Sequence, residues 1–327
     1  MNRSATAVAH TNVALVKYWG KSDLEKNIPA TPSLSMTLDG LWTRTKVVFD
    51  ESLRQDSVAL NGSEAEEKVA LRVSRFMDLI RAMAQTNCRV SVETENNFPT
   101  AGGLASSASG FAALCAAGVT AAGLDLDLGQ LANLARQGSG SAPRSLLGGF
   151  VVLRLLGADP DEHCMVEQVA AQDHWDVRMV VALCAQGPKE VGSTQGMERS
   201  RITSPYYQGW LDSHHVDMAE AESALNARDL EALGRVAERS CFKMHGLAMS
   251  SDPPLIYFKS ATLSAIERVW QLRREGLKGW VTIDAGPHVK VLCEADSCHE
   301  FVKELGKVPG VHKVLLARPG PGVEVGT

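Results

Sequence analysis

The stretch from Asn96 to Ala108 constrains the fold more than any other part of this chain. The alternating run Arg89-Val90-Ser91-Val92-Glu93 predicts a strand leading into it, and the Ala-rich residues 109–122 predict a helix leaving it. A strand that feeds a loop of small residues and then a helix start leaves several backbone N–H groups with no acceptor inside the helix. Those donors, the hydroxyls of Ser106 and Ser107 and the positive end of the helix dipole make a seat for phosphate. Gly102, Gly103, Ala105 and Ala108 allow the close approach that bulky side chains would block. The segment has neither the lysine of G-x-x-x-x-G-K-[ST] nor the spacing of a dinucleotide fingerprint.

A chain of 327 residues, 45% apolar and 22% charged, has the composition of a globular protein and the length for two domains with separate cores. A net charge of −5 without a long basic run argues against a nucleic-acid partner. An anionic small substrate stays open, because a few local cations decide that. The seven cysteines are scattered, odd in number and without a C-x-x-C pair, which predicts reduced thiols; Cys115 and Cys184 lie in apolar runs and read as small buried groups. The absence of an apolar run near 18 residues and of a leader pattern predicts no membrane partner and a cytoplasmic address.

Alternation predicts strands over 8–17, 41–50 and 57–61, and Val69, Val73, Phe76, Met77 and Ile80 predict a helix within 64–84. Asp127 reads as the N-cap of a helix to Gln137 that Gly138 ends, followed by a small-residue turn over 139–145 and strands over 150–155 and 177–184. After Gly187-Pro188 the pattern changes. It is helical over 210–249, broken by Pro253-Pro254, helical again over 261–275, then two paired strands (279–284 and 288–293), a helix (296–305) and a strand (311–317). This predicts an α+β protein with domains 1–188 and 189–327.

Besides the phosphate loop, three places offer chemistry, each with a plainer structural reading. Lys17, Tyr18 and Lys21 cluster at a strand end, where they aim cations and a hydroxyl at an anion or are simply solvated. Arg144, among Ser139, Ser141 and Ser145, offers a fork for a carboxylate or phosphate, or an ordinary turn. Asp284 follows an apolar strand, as a carboxylate in a cleft or an Asx-turn residue. Cys293, Cys298 and His299 have no partner cluster, and His214-His215 reads as lying on a solvated helix, so zinc is not indicated. Gly320-Pro321-Gly322 reads as C-terminal punctuation, and no G-x-S-x-G elbow of a serine hydrolase occurs.

Together these places resemble the diphosphomevalonate decarboxylase family of the GHMP kinase superfamily. The resemblance runs through Asn12 to Lys21, Asn97 to Ala101, Gly103 to Ala108, Arg136 to Ser141, Arg144-Ser145, Ser193 to Met197 and Asp284 to Pro287, with Lys17-Tyr18-Trp19-Gly20-Lys21 its most specific part. It implies a GHMP kinase fold: an N-terminal ribosomal-protein-like α/β domain, a C-terminal ferredoxin-like α+β domain, and an active site in the cleft between them. It also implies ATP-dependent decarboxylation of (R)-5-diphosphomevalonate to isopentenyl diphosphate, ADP, phosphate and CO₂, with Mg²⁺ and commonly a homodimer.

By that resemblance Asp284, Lys17 and Arg144 are catalytic. Asn12, Tyr18, Lys21, Ser139, Ser141, Arg144 and Ser193 bind the substrate. Pro99, Ala101, Gly102, Gly103, Leu104, Ala105, Ser106, Ser107 and Lys189 bind ATP, with Ser107 on the metal. His245 lines the cleft or packs in a core. The chain departs from the family at Gly102, at Pro143 before Arg144, and at His288, whose imidazole would titrate near Asp284. Two enzyme alternatives remain: a decarboxylase of the monophosphate, and a kinase without decarboxylation, which the Lys17, Arg144 and Asp284 trio disfavours. A non-catalytic RNA-binding module is disfavoured by the acidic balance.

Overall fold

The structure is a computed structural model that describes residues 3–98, 106–156, 164–187 and 190–326. In chain order the elements are β1 (Arg3–Val16), β2 (Lys21–Asp23), β3 (Ile28–Pro29), β4 (Ser33–Asp50), β5 (Ser57–Leu60), β6 (Ser63–Glu64), α1 (Glu67–Met83) and β7 (Arg89–Asn96). There follow α2 (Ser106–Ala122), α3 (Leu128–Gly138), a 3-10 turn over Ala142–Ser145, β8 (Phe150–Leu155) and β9 (Cys164–Ala170). The remainder comprises β10 (Val177–Leu183), α4 (Ser193–Thr203), α5 (Tyr207–Ala227), α6 (Leu230–Met249), α7 (Ser260–Arg274), β11 (Gly279–Thr282), β12 (Val289–Glu294), α8 (Cys298–Leu305), β13 (Lys313–Ala317) and β14 (Glu324–Gly326).

Two sheets result. The first has eight strands and is built on β4, which pairs with β1 along its length, with β7 through its second half and with β8 through its first. The second has four strands in the order β11-β12-β10-β13, all antiparallel. Sheet membership thus changes between β9 and β10, while the expected division at 188/189 falls on residues outside those described.

Helix α2 is apolar and small on almost every face, so it is buried against β1 and β4 instead of presenting a polar side to water. Gly118 lets α1 press against it, since a Cβ there would lie 2.6 Å from Ile80 Cδ1. Asp127 caps α3 through a capping box with Gln130, as its sequence position predicts. A core layer of Leu15, Leu34 and Phe150 from the first sheet, Met179, Val181 and Leu292 from the second, and Leu233 and Val236 of α6 joins the two sheets. That shared layer holds the end of β1 against the end of β11. All seven cysteines are free thiols, and six are buried, as expected.

Three expectations are corrected. The helical pattern over 210–249 is two helices, because Arg228 adopts a left-handed φ of 55° and Asp229 caps α6 by accepting from the Ala232 N–H. His214 is buried, and its ring bonds the Pro32 carbonyl at 2.8 Å. Gly320-Pro321-Gly322 does not end the ordered chain: Gly320 is buried and Pro321 and Gly322 are half-buried, the Gly320 N–H donates to Thr37 O, its carbonyl accepts from Gly149 N–H, and the chain continues into β14 beside β1. No described helix is long and apolar enough to cross a membrane.

Candidate active site

The site is assembled where β1 ends. Register shifts between His10 and Asn12 and between Ala14 and Val16 interrupt the β1–β4 ladder, and such bulges re-aim side chains. Lys17 follows immediately. Its backbone N–H donates to Ser240 Oγ on α6, and its Nζ donates to Ala14 O at 2.7 Å and to Asp284 Oδ1 at 2.6 Å. Asp284 sits in the turn joining β11 to β12, so this one ion pair links the first strand of the chain to the second sheet.

The second carboxylate oxygen, Oδ2, lies 2.9 Å from Lys290 Nζ on β12. Both lysines are 1% exposed. Burial alone would raise the Asp284 carboxyl, but the two ammonium groups outweigh it and hold the carboxyl far below the usual range. One carboxylate between two ammoniums leaves an uncompensated positive charge.

Arg144 adds another. It is 3% exposed on the 3-10 turn, with Pro143 in the first turn, where a fixed φ suits the backbone, so that departure from the family is accommodated. Its Nε and Nη2 donate to Asn12 Oδ1 at 3.2 and 3.1 Å, and its Nη1 donates to Ser33 Oγ at 2.6 Å. Asn12 is itself oriented, because its Nδ2 donates to Ser145 Oγ at 2.7 Å and to Ser141 O at 3.3 Å. Among the described residues no carboxylate forms an ion pair with this guanidinium.

The polar groups beyond Arg144 form a second region. The Tyr18 ring lies 5.8 Å from the Arg144 guanidinium carbon, and its hydroxyl is so close to Gly140 that a Cβ there would sit 2.6 Å away. Lys21 Nζ donates to Asn27 Oδ1 at 2.5 Å and to Thr194 Oγ1 at 3.3 Å, which carries it to the first turn of α4, where Ser193 is the first residue. Ser139 Oγ lies 3.3 Å from Ser141 Oγ and 3.4 Å from Ser107 Oγ, connecting the turn to the start of α2. Ser106 opens α2 beside Ser107. Pro99, Ala101, Gly102, Gly103, Leu104, Ala105 and Lys189 lie outside the described residues.

Two cations here escaped the sequence reading. Arg72 on α1 stacks on Phe111 at 4.4 Å and donates to Gly138 O at 2.7 Å. It stands four residues before Phe76 and eight before Ile80, beside the helix face assigned to the core, and that spacing was the available signal. Lys290 interrupts Val289 and Val291 in a strand buried on both faces, a position that calls for a partnered charge. Burial, aided by the Arg72 charge, lowers the Lys21 pKa from its ordinary value.

His288 does not act on Asp284 as a titrating group. Its Nδ1 accepts from the Cys184 N–H at 3.2 Å, and burial, followed by the charges of Lys290 and His312, pulls its pKa down to about 4, so it is neutral at physiological pH. His245 packs 4.4 Å from the Phe258 ring and bonds Ile283 O at 3.3 Å, and burial lowers it to about 3; it is a core histidine behind the site.

For a divalent metal, the described residues bring together no group of three or more His, Cys, Asp or Glu. A Ser107 hydroxyl at a helix start fits the alternative donor set, in which a hard cation takes one protein oxygen and otherwise phosphate and water.

Residues 9–166 match the model of the diphosphomevalonate decarboxylase-like N-terminal domain, and residues 179–315 match that of the mevalonate 5-diphosphate decarboxylase C-terminal domain. The diphosphomevalonate decarboxylase of Ganoderma lucidum is 34% identical over 93% of this chain and 81% of its own length. The Homo sapiens protein of that name is 33% identical over 97% and 85%. Among solved structures, mevalonate diphosphate decarboxylase from Staphylococcus aureus superposes with a TM-score of 0.94 at 37% identity, covering 100% of this chain and 99% of that one. A structure described as MDDEF in complex with MVAPP, AMPPCP and magnesium gives 0.93 at 39% identity with the same coverage.

Proposed function

The chain belongs to the diphosphomevalonate decarboxylase family, and we propose that Lys17, Arg144 and Asp284 carry its reaction, the ATP-dependent conversion of (R)-5-diphosphomevalonate to isopentenyl diphosphate, ADP, phosphate and CO₂. The observation that supports this most is the charge balance of the site. Lys17 and Lys290 flank one carboxylate, with Arg144 near and Lys21 and Arg72 beyond, an excess of positive charge that a ligand bearing several negative charges compensates.

The tertiary 3-hydroxyl is a poor leaving group, so it is phosphorylated first. Asp284 orients that hydroxyl and takes its proton, while Lys17 neutralises charge on the transferring phosphoryl group. Departure of the 3-phosphate then develops positive charge at C3. The electrons of the C1–C2 bond quench it, forming the double bond and releasing CO₂. Arg144, fixed by Asn12 and Ser33, forks the C1 carboxylate and keeps the breaking bonds aligned.

Tyr18, Lys21, Ser139, Ser141 and Ser193 hold the 5-diphosphate, with Arg72 behind them. Binding energy from that remote group positions the reacting carbons. By the family resemblance Pro99, Ala101, Gly102, Gly103, Leu104, Ala105 and Lys189, all outside the described residues, bind ATP together with Ser106. Ser107 would be the protein ligand of Mg²⁺, which when bound would supply electrostatic stabilisation of the phosphoryl group. From the family resemblance we further propose a homodimer working in the cytoplasm.

The test is the fate of the 3-oxygen. With substrate labelled by ¹⁸O at that hydroxyl, the label appears in inorganic phosphate, and ADP and CO₂ are released one for one. Label retained in the organic product, or ADP without CO₂, contradicts the mechanism.

A further inference from the structure

Asp284 is paired twice, which is more than a base needs in order to be charged. Lys17 alone, at 2.6 Å and buried, would keep the carboxylate ionised. However, the proposed chemistry also asks Lys17 to meet the transferring phosphoryl group. A single lysine turning away from its partner would leave a buried carboxylate unpaired, which is strongly unfavourable. Lys290 removes that conflict. It reaches Asp284 Oδ2 from the middle of the second sheet, where Val289, Val291 and the strands on either side confine its stem.

We propose that Lys290 is a positioning residue of the reaction: it is the resident counter-ion of Asp284, fixing the carboxylate through Oδ2 and so freeing Lys17 to share the incoming phosphoryl group. This deepens the functional reading and rests on Asp284 receiving the hydroxyl proton. The other titratable groups around Asp284 are Lys17, whose pKa burial lowers, Cys241 and His245 from α6, pushed up to about 11 and lowered to about 3 by burial, His288 beyond the turn, lowered to about 4, and Arg144, which stays charged. The two histidines charge at the acid end of the range, so their ring signals are recorded alongside the Asp284 carboxyl in parent and variants.

Two readouts on Lys290→Met, Lys290→Gln and Lys290→Arg test the inference. In the first, the Asp284 carboxyl is followed by ¹³C NMR during an acid titration of the ligand-free protein. Without the Lys290 charge its titration moves upward by about 1–3 pH units, and Lys290→Arg returns it. In the second, kcat falls about tenfold or more in the neutral variants, with the acid limb of its pH profile moved up and KM for both substrates within about twofold. Both neutral variants still contain the Lys17–Asp284 pair in a one-to-one balance, so their thermal stability is equal to or above that of the parent protein.

An Asp284 titration that is the same in parent and neutral variants overturns the inference. So does an unchanged acid limb with normal kcat, or a loss of activity that tracks a fall in melting temperature and is not restored by arginine. The titration decides the role of Lys290 without turnover; a parent protein that releases no CO₂ defeats the functional reading separately.

Discussion

Replacing Arg144 with glutamine isolates the carboxylate contact from the rest of the site. The guanidinium spends one edge on Asn12 Oδ1, at 3.2 and 3.1 Å, and one nitrogen on Ser33 Oγ, at 2.6 Å, and it has no carboxylate of its own among the described residues. Its remaining N–H groups are the donors for C1. A hydrogen bond to a charged group is worth about 1.5–3 kcal/mol, and losing the alignment of the scissile bond adds to that. A total of about 3–4 kcal/mol corresponds to a loss of two to three powers of ten in kcat/KM for the 5-diphosphate substrate.

Folding should change little in this variant. Glutamine can still donate to Asn12 Oδ1, and removing a buried charge offsets the lost bonds, so the change in stability is within about 2 kcal/mol. The assay is steady-state release of CO₂, with nucleotide affinity measured separately by calorimetry. A variant with normal turnover, or one impaired only in nucleotide binding, would refute the assignment of Arg144 to the carboxylate.

Other perturbations follow from the same geometry. Asp284→Asn leaves two buried lysines facing each other without an anion; turnover falls by at least about a hundredfold while ATP binding is largely kept, and equal turnover would remove Asp284 from the chemistry. Gly140→Ala places a methyl group 2.6 Å from the Tyr18 hydroxyl, so KM for the diphosphate substrate rises at least about fivefold with KM for ATP unchanged; a change in the ATP value alone would place Tyr18 elsewhere. His288→Asn concerns acid stability. The folded-state pKa of about 4 lies below the ordinary value of about 6.5, so the unfolded chain binds the proton first and stability is lost as pH falls through that window. Urea unfolding at pH 7 and pH 4.5 should show the parent losing up to about 3 kcal/mol more than the variant, and parallel losses would show that His288 is not held neutral.

Lys17, Arg144 and Asp284 were legible because each stands where a periodic pattern stops. Lys17 ends an alternating strand, Arg144 interrupts a run of small residues, and Asp284 closes an apolar strand. What escaped depends on distant parts of the chain. His214 looks solvated in a helical pattern, yet it is buried by a carbonyl 182 residues away. The α5–α6 break carries no glycine or proline, because Arg228 itself takes the left-handed turn. The short β14 has too few residues for a pattern, and its pairing with Thr6, Ala7 and Val8 is set by tertiary packing. Lys290 was hidden because apolar periodicity marks a buried strand and is silent about a cation placed in it, and Arg72, exposed at the start of α1, lies outside the apolar stripe that periodicity marks.

Substrate discrimination reports on the buried cations as a whole, since together they suit one molecule with a carboxylate and a distant diphosphate. The purified protein, ATP and Mg²⁺ are incubated in turn with mevalonate, its 5-phosphate and its 5-diphosphate, and ADP and CO₂ are measured together. Equal amounts of ADP and CO₂ are expected from the 5-diphosphate and little of either from the other two. Preferred turnover of the monophosphate, or ADP formed without CO₂, would contradict this expectation.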